Sequence, residues 1–173
     1  MFWHDFFTGI KFAAILGVLS HVFGEIFPRR FMHYDMFPFA PMRWEKNGHI
    51  YRRLHVSKWA AKLPDMSRII PYMYKKKITD DMSSDALLRF TRETCVAELT
   101  HMVLIFLSPI LTIICESGWG VLFMFIYAFC NVPFVLIQRY NRPMLVKLYH
   151  RSMKKKEESS KEIEEVESFD TVM

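Results

Sequence analysis

Two long apolar runs joined by a tight turn dominate the pattern of hydrophobic and polar positions between Cys95 and Pro143. The first reads CVAELTHMVLIFLSPILTIICE and the second WGVLFMFIYAFCNVPFVLIQRYNRP. Each has about 20 mostly apolar residues, the length that crosses a bilayer core as a helix. Only Ser117–Gly118 separates them after Glu116, so they must fold back as an antiparallel hairpin, with spans at about 96–116 and 119–138. A weaker segment, Phe12–Phe27, reaches back to Phe6 if Lys11 snorkels to the interface, which gives a first span at about 6–27. An interfacial helix competes with that span. A cleaved signal peptide does not fit, because no basic n-region precedes the segment and no A-x-A-like site follows before Pro28–Arg29–Arg30. Gly17, Ser20 and Gly24 share one helical face, a spacing that lets membrane helices approach closely. The expected fold is an all-α integral membrane protein with about three transmembrane helices, a C-terminal helical hairpin and a long basic cytosolic segment.

That basic segment, residues 28–94, carries 14 Lys plus Arg against 7 Asp plus Glu. Its opening, FPRRFMHYDMFPFAP, is broken by proline and rich in aromatics, which suits a loop lying along the interface. From Arg43 to Leu63 the pattern predicts one or two short helices, with Trp44, Tyr51, Leu54 and Trp59 as buried or interfacial anchors. Lys75–Lys77 reads as a solvated or headgroup-facing cluster. Ser83 or Ser84 then caps a helix that runs through Leu87, Leu88 and Phe90 straight into the second span. Residues 1–151 form one domain, and the charged tail 152–173 has too little apolar surface to dock and reads as disordered, although its Glu-to-Lys spacings would support a frayed helix.

Charge orients this layout. The formal net charge is +5, but the cations flank apolar spans, which favours an anionic surface of membrane lipids or an anionic cofactor over nucleic acid. Eight Lys plus Arg follow Gln138 and none lies in the 117–118 turn. The positive-inside rule therefore puts segment 28–94 and the C-terminus in the cytosol and the N-terminus outside a cell membrane. In that topology His21 and Glu25, Glu98 and His101, and Gln138 all fall in the same cytosolic-side layer. Three cysteines, an odd number, argue against a disulfide framework.

Polar groups at membrane depth are expensive and usually functional. Glu98, His101, Ile105, Ser108 and Thr112 form a stripe on the second span, and Tyr127, Asn131 and Gln138 share a face of the third. Hydrogen bonds between the helices account for Ser108, Thr112 and Asn131. Glu98 and His101 differ, since a carboxylate one turn away can steady an imidazole acting as general base. With His21 and Glu25 they would also supply metal ligands, but the second Glu-x-x-His copy of a di-iron site is missing and no metal is expected. Arg139 and Arg142 are either membrane-flanking anchors or ligands for a phosphate. No G-x-S-x-G elbow, H-E-x-x-H helix, His-x-x-x-x-Asp signature, P-loop or dinucleotide glycine pattern occurs.

The stretches Trp44–Gly48, Val56–Trp59, Ala97–His101 and Asn131–Pro133 through Gln138–Pro143 resemble the glycosyl-4,4'-diaponeurosporenoate acyltransferases, small bacterial membrane proteins of staphyloxanthin-type carotenoid synthesis. The resemblance covers roughly 43–145. It implies transfer of a fatty acyl chain from a thioester, on coenzyme A or acyl carrier protein, to the sugar 6-hydroxyl of a glycosylated carotenoid or similar lipid glycoside, with no cofactor beyond that co-substrate. His101 and Glu98 are then the catalytic candidates. Arg139, Tyr140, Asn141, Arg142, Gln138, Asn131, Trp44 and Trp59 are the substrate-binding candidates. A small membrane methyltransferase or reductase using a nucleotide cofactor, and a non-catalytic scaffold, are the competing classes; donor dependence and tolerance of Glu98 and His101 substitution separate them.

Overall fold

A computed structural model describes residues 1–60, 62–63 and 82–172, apart from the side chains of residues 46, 47 and 164–172. The Lys75–Lys77 cluster expected from the sequence lies outside the described residues. Helix α1 is Phe2–Ile26, and short 3-10 turns follow at Arg29–Phe31 and Arg43–Gly48. Two single-turn helices come next, α2 (His49–Arg53) and α3 (Val56–Ala60). The hairpin consists of α4 (Ser84–Leu107), the short α5 (Ile110–Ile114) and the long α6 (Trp119–Val172). Three stretches, Phe2–Ile26, Ser84–Ile114 and Trp119–Ile163, contain windows long and apolar enough to cross a membrane. Among the described residues the architecture is all-helical with three helices able to span a membrane, as expected from the sequence.

Local chemistry explains several of the element boundaries. Ser83 caps α4, its hydroxyl accepting from the Ala86 amide at 3.3 Å. The expected single span from 96 to 116 is interrupted at Ser108–Pro109. Pro109 has no amide hydrogen to continue the α-helical ladder, and the chain passes through tighter bonds, Leu111 to Ser108 and Thr112 to Pro109, before α5. Gly48 adopts φ +86°, the left-handed conformation glycine takes without penalty, and starts α2.

Helix α1 runs alongside the hairpin from its turn toward its open end. At the turn, the buried Asp5 carboxylate accepts from the Glu116 amide at 3.2 Å and from the Ser117 hydroxyl. Phe2 meets Trp119 edge-on at 4.9 Å between ring centroids, and Phe12 meets Tyr127 at 5.7 Å. At the other end Phe27 packs against Met32, Phe39, Cys95 and Val96. The expected close approach at Gly17, Ser20 and Gly24 does not occur. Among the described residues neither glycine has a neighbour from another element within 4 Å of where a Cβ would stand, and Ser20 bonds its own helix at Gly17 O, 2.9 Å.

Beyond the spans the hairpin continues as a protruding pair. Leu87 and Phe90 of α4 pack against Leu145 of α6, flanked by Met82, Leu148 and Tyr149. Residues 152–172, which the composition reads as disordered, instead extend α6. Met153 to Ile163 is exposed along its length and carries Lys154–Glu158 (3.7 Å) and Glu157–Lys161 (3.1 Å) pairs at i,i+4 spacing, the helix support that the tail's charges offer.

The hairpin turn is tight enough to test. A Cβ on Gly120 would sit 2.6 Å from the Leu111 carbonyl oxygen and 2.9 Å from Cys115 Cβ, whereas one on Gly118 meets nothing within 4 Å. Gly120→Ala should lower stability by about 1–3 kcal/mol, the usual cost of overpacking, and Gly118→Ala should be neutral, both read from thermal unfolding in detergent.

A buried charge network at the open end of the hairpin

Thr94 and Glu98 lie one turn apart on α4, and Arg139 and Arg142 lie one turn apart on the antiparallel α6. Glu98 is fully buried, and its two carboxylate oxygens face different guanidinium groups. Arg139 Nε donates to Glu98 Oε1 at 2.6 Å, and Arg142 Nη2 pairs with Glu98 Oε2. Arg142 also donates to Thr94 Oγ1 at 2.9 Å, to Thr94 O at 3.1 Å and to Phe39 O at 2.8 Å. Arg139 reaches Pro38 O at 2.6 Å and the Glu45 carboxylate. The segment around residues 38–45 therefore turns inward and supplies acceptors to both arginines, rather than lying wholly along the interface. Glu45 in turn accepts from the Met42 amide at 3.2 Å and the Tyr51 hydroxyl at 2.9 Å. Burial first, and the Glu45 carboxylate second, push the Tyr51 phenol far up, which keeps it protonated as a donor.

With Arg139 and Arg142 only 9% and 3% exposed, neither is the surface anchor one sequence reading offered. Every guanidinium nitrogen is already hydrogen-bonded within the protein. Two carboxylates balance two guanidinium groups, the arrangement that makes buried charge tolerable.

His101 follows Glu98 by three residues, but the expected pairing of the two side chains does not occur. Both Glu98 oxygens are engaged by arginines, and His101 bonds across the hairpin to Asn131, Nδ1 to Oδ1 at 2.9 Å. The Asn131 amide nitrogen donates to Tyr127 O at 2.9 Å. Its Oδ1 therefore faces the ring as acceptor, and His101 Nδ1 carries the hydrogen. The imidazole stacks on Phe134 at 4.6 Å and 10°, and its Nε2 has no hydrogen-bond partner among the described residues. That nitrogen is a fixed lone pair on a half-buried ring.

The remaining candidates fall around this layer. Ser108 and Thr112 bond their own helix, at Ile105 O (2.8 Å) and Pro109 O (2.7 Å), so of the two predicted facing stripes His101–Asn131 is the bond that crosses. Gln138 and Asn141 are half-buried and make no side-chain hydrogen bond among the described residues. Tyr140 lines an open cleft beyond the network. Trp44 is largely exposed, edge-on to Tyr51 at 6.4 Å, and half-buried Trp59 donates to Leu54 O at 3.0 Å. His21 and Glu25 make no side-chain hydrogen bond to the network. Tyr51 is buried, as an anchor should be, but its bond to Glu45 was not legible, and sequence reasoning missed Glu45, Thr94 and the carbonyls of Pro38 and Phe39. One signal was available: two arginines at the end of an apolar span, facing a single Glu98, need a second carboxylate.

A family model for glycosyl-4,4'-diaponeurosporenoate acyltransferase matches residues 34–151. This chain belongs to that family. Family membership makes it an acyltransferase. Proteins of that name from Staphylococcus aureus strain Newman and strain N315 are 29% and 28% identical to it over 140 and 130 residues, covering 78% and 72% of this chain and 81% and 76% of theirs. No solved structure matches the chain. The matched region holds Glu45, Glu98, His101, Asn131, Arg139 and Arg142, and leaves out α1.

Glu98→Gln leaves two buried guanidinium groups facing one carboxylate. Breaking a buried pair in this way costs about 3–5 kcal/mol, so the variant should unfold at a clearly lower temperature in detergent. Arg142→Lys, whose three donors on one atom cannot serve the four acceptors Arg142 spans (Thr94 Oγ1, Thr94 O, Phe39 O and a Glu98 oxygen), should do the same. An unchanged Tm in both would remove the network's structural role.

Proposed function

We propose that this acyltransferase moves a fatty acyl chain from a thioester donor to the sugar 6-hydroxyl of glycosyl-4,4'-diaponeurosporenoate or a similar lipid glycoside, with His101 as general base. The observation that carries the reading is the His101 imidazole, tied through Nδ1 to Asn131 and open at Nε2. A sugar hydroxyl is a poor nucleophile at neutral pH and must lose its proton as it attacks. Neutral histidine with an available Nε2 suits that task. As the oxygen adds to the thioester carbonyl, Nε2 takes the proton. The tetrahedral intermediate then collapses, the carbon–sulfur bond breaks, and the imidazolium returns the proton to the departing thiolate.

In this mechanism Glu98 is a positioning residue. It locks α4 to α6 through Arg139 and Arg142, and that register brings His101 to Asn131. Tyr140 and Asn141 follow Asn131 by nine and ten residues, about 13–15 Å along the axis at 1.5 Å per residue. That is too far to stabilise the oxyanion that forms on the thioester carbonyl beside Nε2, and they contribute to binding instead. Cations concentrated at the open end of the hairpin favour its placement at the cytosolic face, where thioester donors are made, with the Ser117–Gly118 turn and the N-terminus outside. A lipid glycoside would enter from the bilayer, where Val103, Phe106 and Phe129 are exposed.

His101→Ala should lower kcat by about 10²–10⁴-fold, the usual contribution of general base catalysis, while Tm changes little. Glu98→Gln should lose activity and Tm together. A folded His101→Ala enzyme acylating at near wild-type rate ends the mechanism. For orientation, in a Cys130→Ala background, a membrane-impermeant maleimide should label Gly118→Cys in intact cells and spare Ser160→Cys. The reverse pattern would move the reaction to the outer face.

A further inference from the structure

Beyond the charge network, α6 and the chain from Tyr34 to Arg52 enclose an open cleft of about 1210 Å³. Arg52, Lys147, Arg151 and Lys154 line it, and Asp35 is the single carboxylate among its lining residues. Lys154 pairs with Glu158, but Arg52, Lys147 and Arg151 are exposed cations without an ion-pair partner among the described residues. The rest of the lining is largely proline, aromatic and aliphatic surface, including Tyr140, together with the network's Arg142. Concave apolar walls with a few convergent charged groups are the usual make-up of a small-molecule site, and the charges here call for an anion.

We propose that this cleft holds the phosphate-bearing nucleotide end of a coenzyme A thioester, with Arg52, Lys147 and Arg151 on its phosphates. This inference builds on the acyl-transfer reading and names its donor. Distance selects the ligand. Lys147 lies 16 residues beyond Asn131, His101's partner, which is about 24 Å along the helix axis. An acyl donor that engages both places must carry its anionic groups far from its reacting carbonyl. Coenzyme A does so, because the pantetheine arm separates thioester from phosphates. A phospholipid donor does not, because its phosphate lies only a few bonds from its ester carbonyls. An acyl carrier protein also has a pantetheine arm, but it presents one phosphate and a broad acidic surface, whereas this site is a recess bearing cations on two sides. Arginine supplies planar forks matched to phosphate oxygens and lysine a point charge.

The test uses the full-length protein in nanodiscs of neutral phosphatidylcholine, with desulfo-coenzyme A as a non-reactive probe and palmitoyl-coenzyme A as donor. The wild type should bind the probe. Arg52→Gln/Lys147→Gln/Arg151→Gln should weaken binding at least about tenfold and raise KM for palmitoyl-coenzyme A to match, a loss of about 1.4 kcal/mol, with kcat little changed. Each single substitution should have a smaller effect in the same direction, which keeps the test available if the triple variant folds poorly. Lys161→Gln, on the tail outside the cleft, should change nothing.

No probe binding by the wild type, or binding and KM unaffected by the triple and single variants, overturns the proposal. So does a protein that accepts palmitoyl groups only from acyl carrier protein or phosphatidylglycerol. Acyl transfer that ignores the cleft variants would sink the cleft alone. Probe binding that depends on the cleft, in a protein that transfers no acyl group, would leave the cleft standing and sink the acyl-transfer reading.

Discussion

Glu98, held without solvent between two guanidinium groups, is the constraint on which the rest of the structure depends. A lone carboxylate there would be prohibitive, so the chain has to bring Arg139 and Arg142 to it from the antiparallel helix. Two cations around one anion leave a surplus charge, which Glu45 removes. The donors still unpaired on the arginines draw in the carbonyls of Pro38 and Phe39. The path of the chain between α1 and α2 is thus set from inside the hairpin outward. Apolar helix faces in lipid distinguish poorly among registers, because lipid tails are as apolar as the side chains they replace. A slide of one turn between α4 and α6 would separate Glu98 from its partners, so the ion pairs specify what hydrophobic packing cannot.

The parts of the fold legible in the sequence are those with a one-dimensional signal. Span length, the short turn at Ser117–Gly118 and the serine before α4 each state their consequence locally, and antiparallel geometry then puts residues 98–101 at the same end as 131–142. Glu45 was hidden because its burial depends on a loop returning to the helices, which no periodicity encodes. The separate partnering of Glu98 and His101 is illegible for a related reason. Residues three apart on a helix differ by about 60° around the axis, enough for each to face a different group on the opposite helix. Glycine spacing on α1 and charge density in the tail are real patterns whose outcome depends on neighbours: no other described element stands against Gly17 or Gly24, and the tail's own ion pairs accompany its helical course.

These differences reassign the chemistry rather than erase it. The polar layer divides into a saturated half and an open half. Glu98, Arg139 and Arg142 have their hydrogen-bonding atoms committed to one another and to the backbone, so proton transfer or ligand binding at those atoms would break the fold's central contact. His101 differs in one atom. Its Nδ1 is spent on orientation and its Nε2 is not, and Asn131 and the Phe134 ring fix where that nitrogen points. A residue that is immobile at one nitrogen and available at the other is what general base catalysis requires, since the proton acceptor must be placed before the substrate arrives. The network supplies that placement through the α4–α6 register. Its sequence cost falls on Glu45, Glu98, Arg139 and Arg142, and in the proposed mechanism its effect appears one turn away, at His101, which none of them hydrogen-bonds.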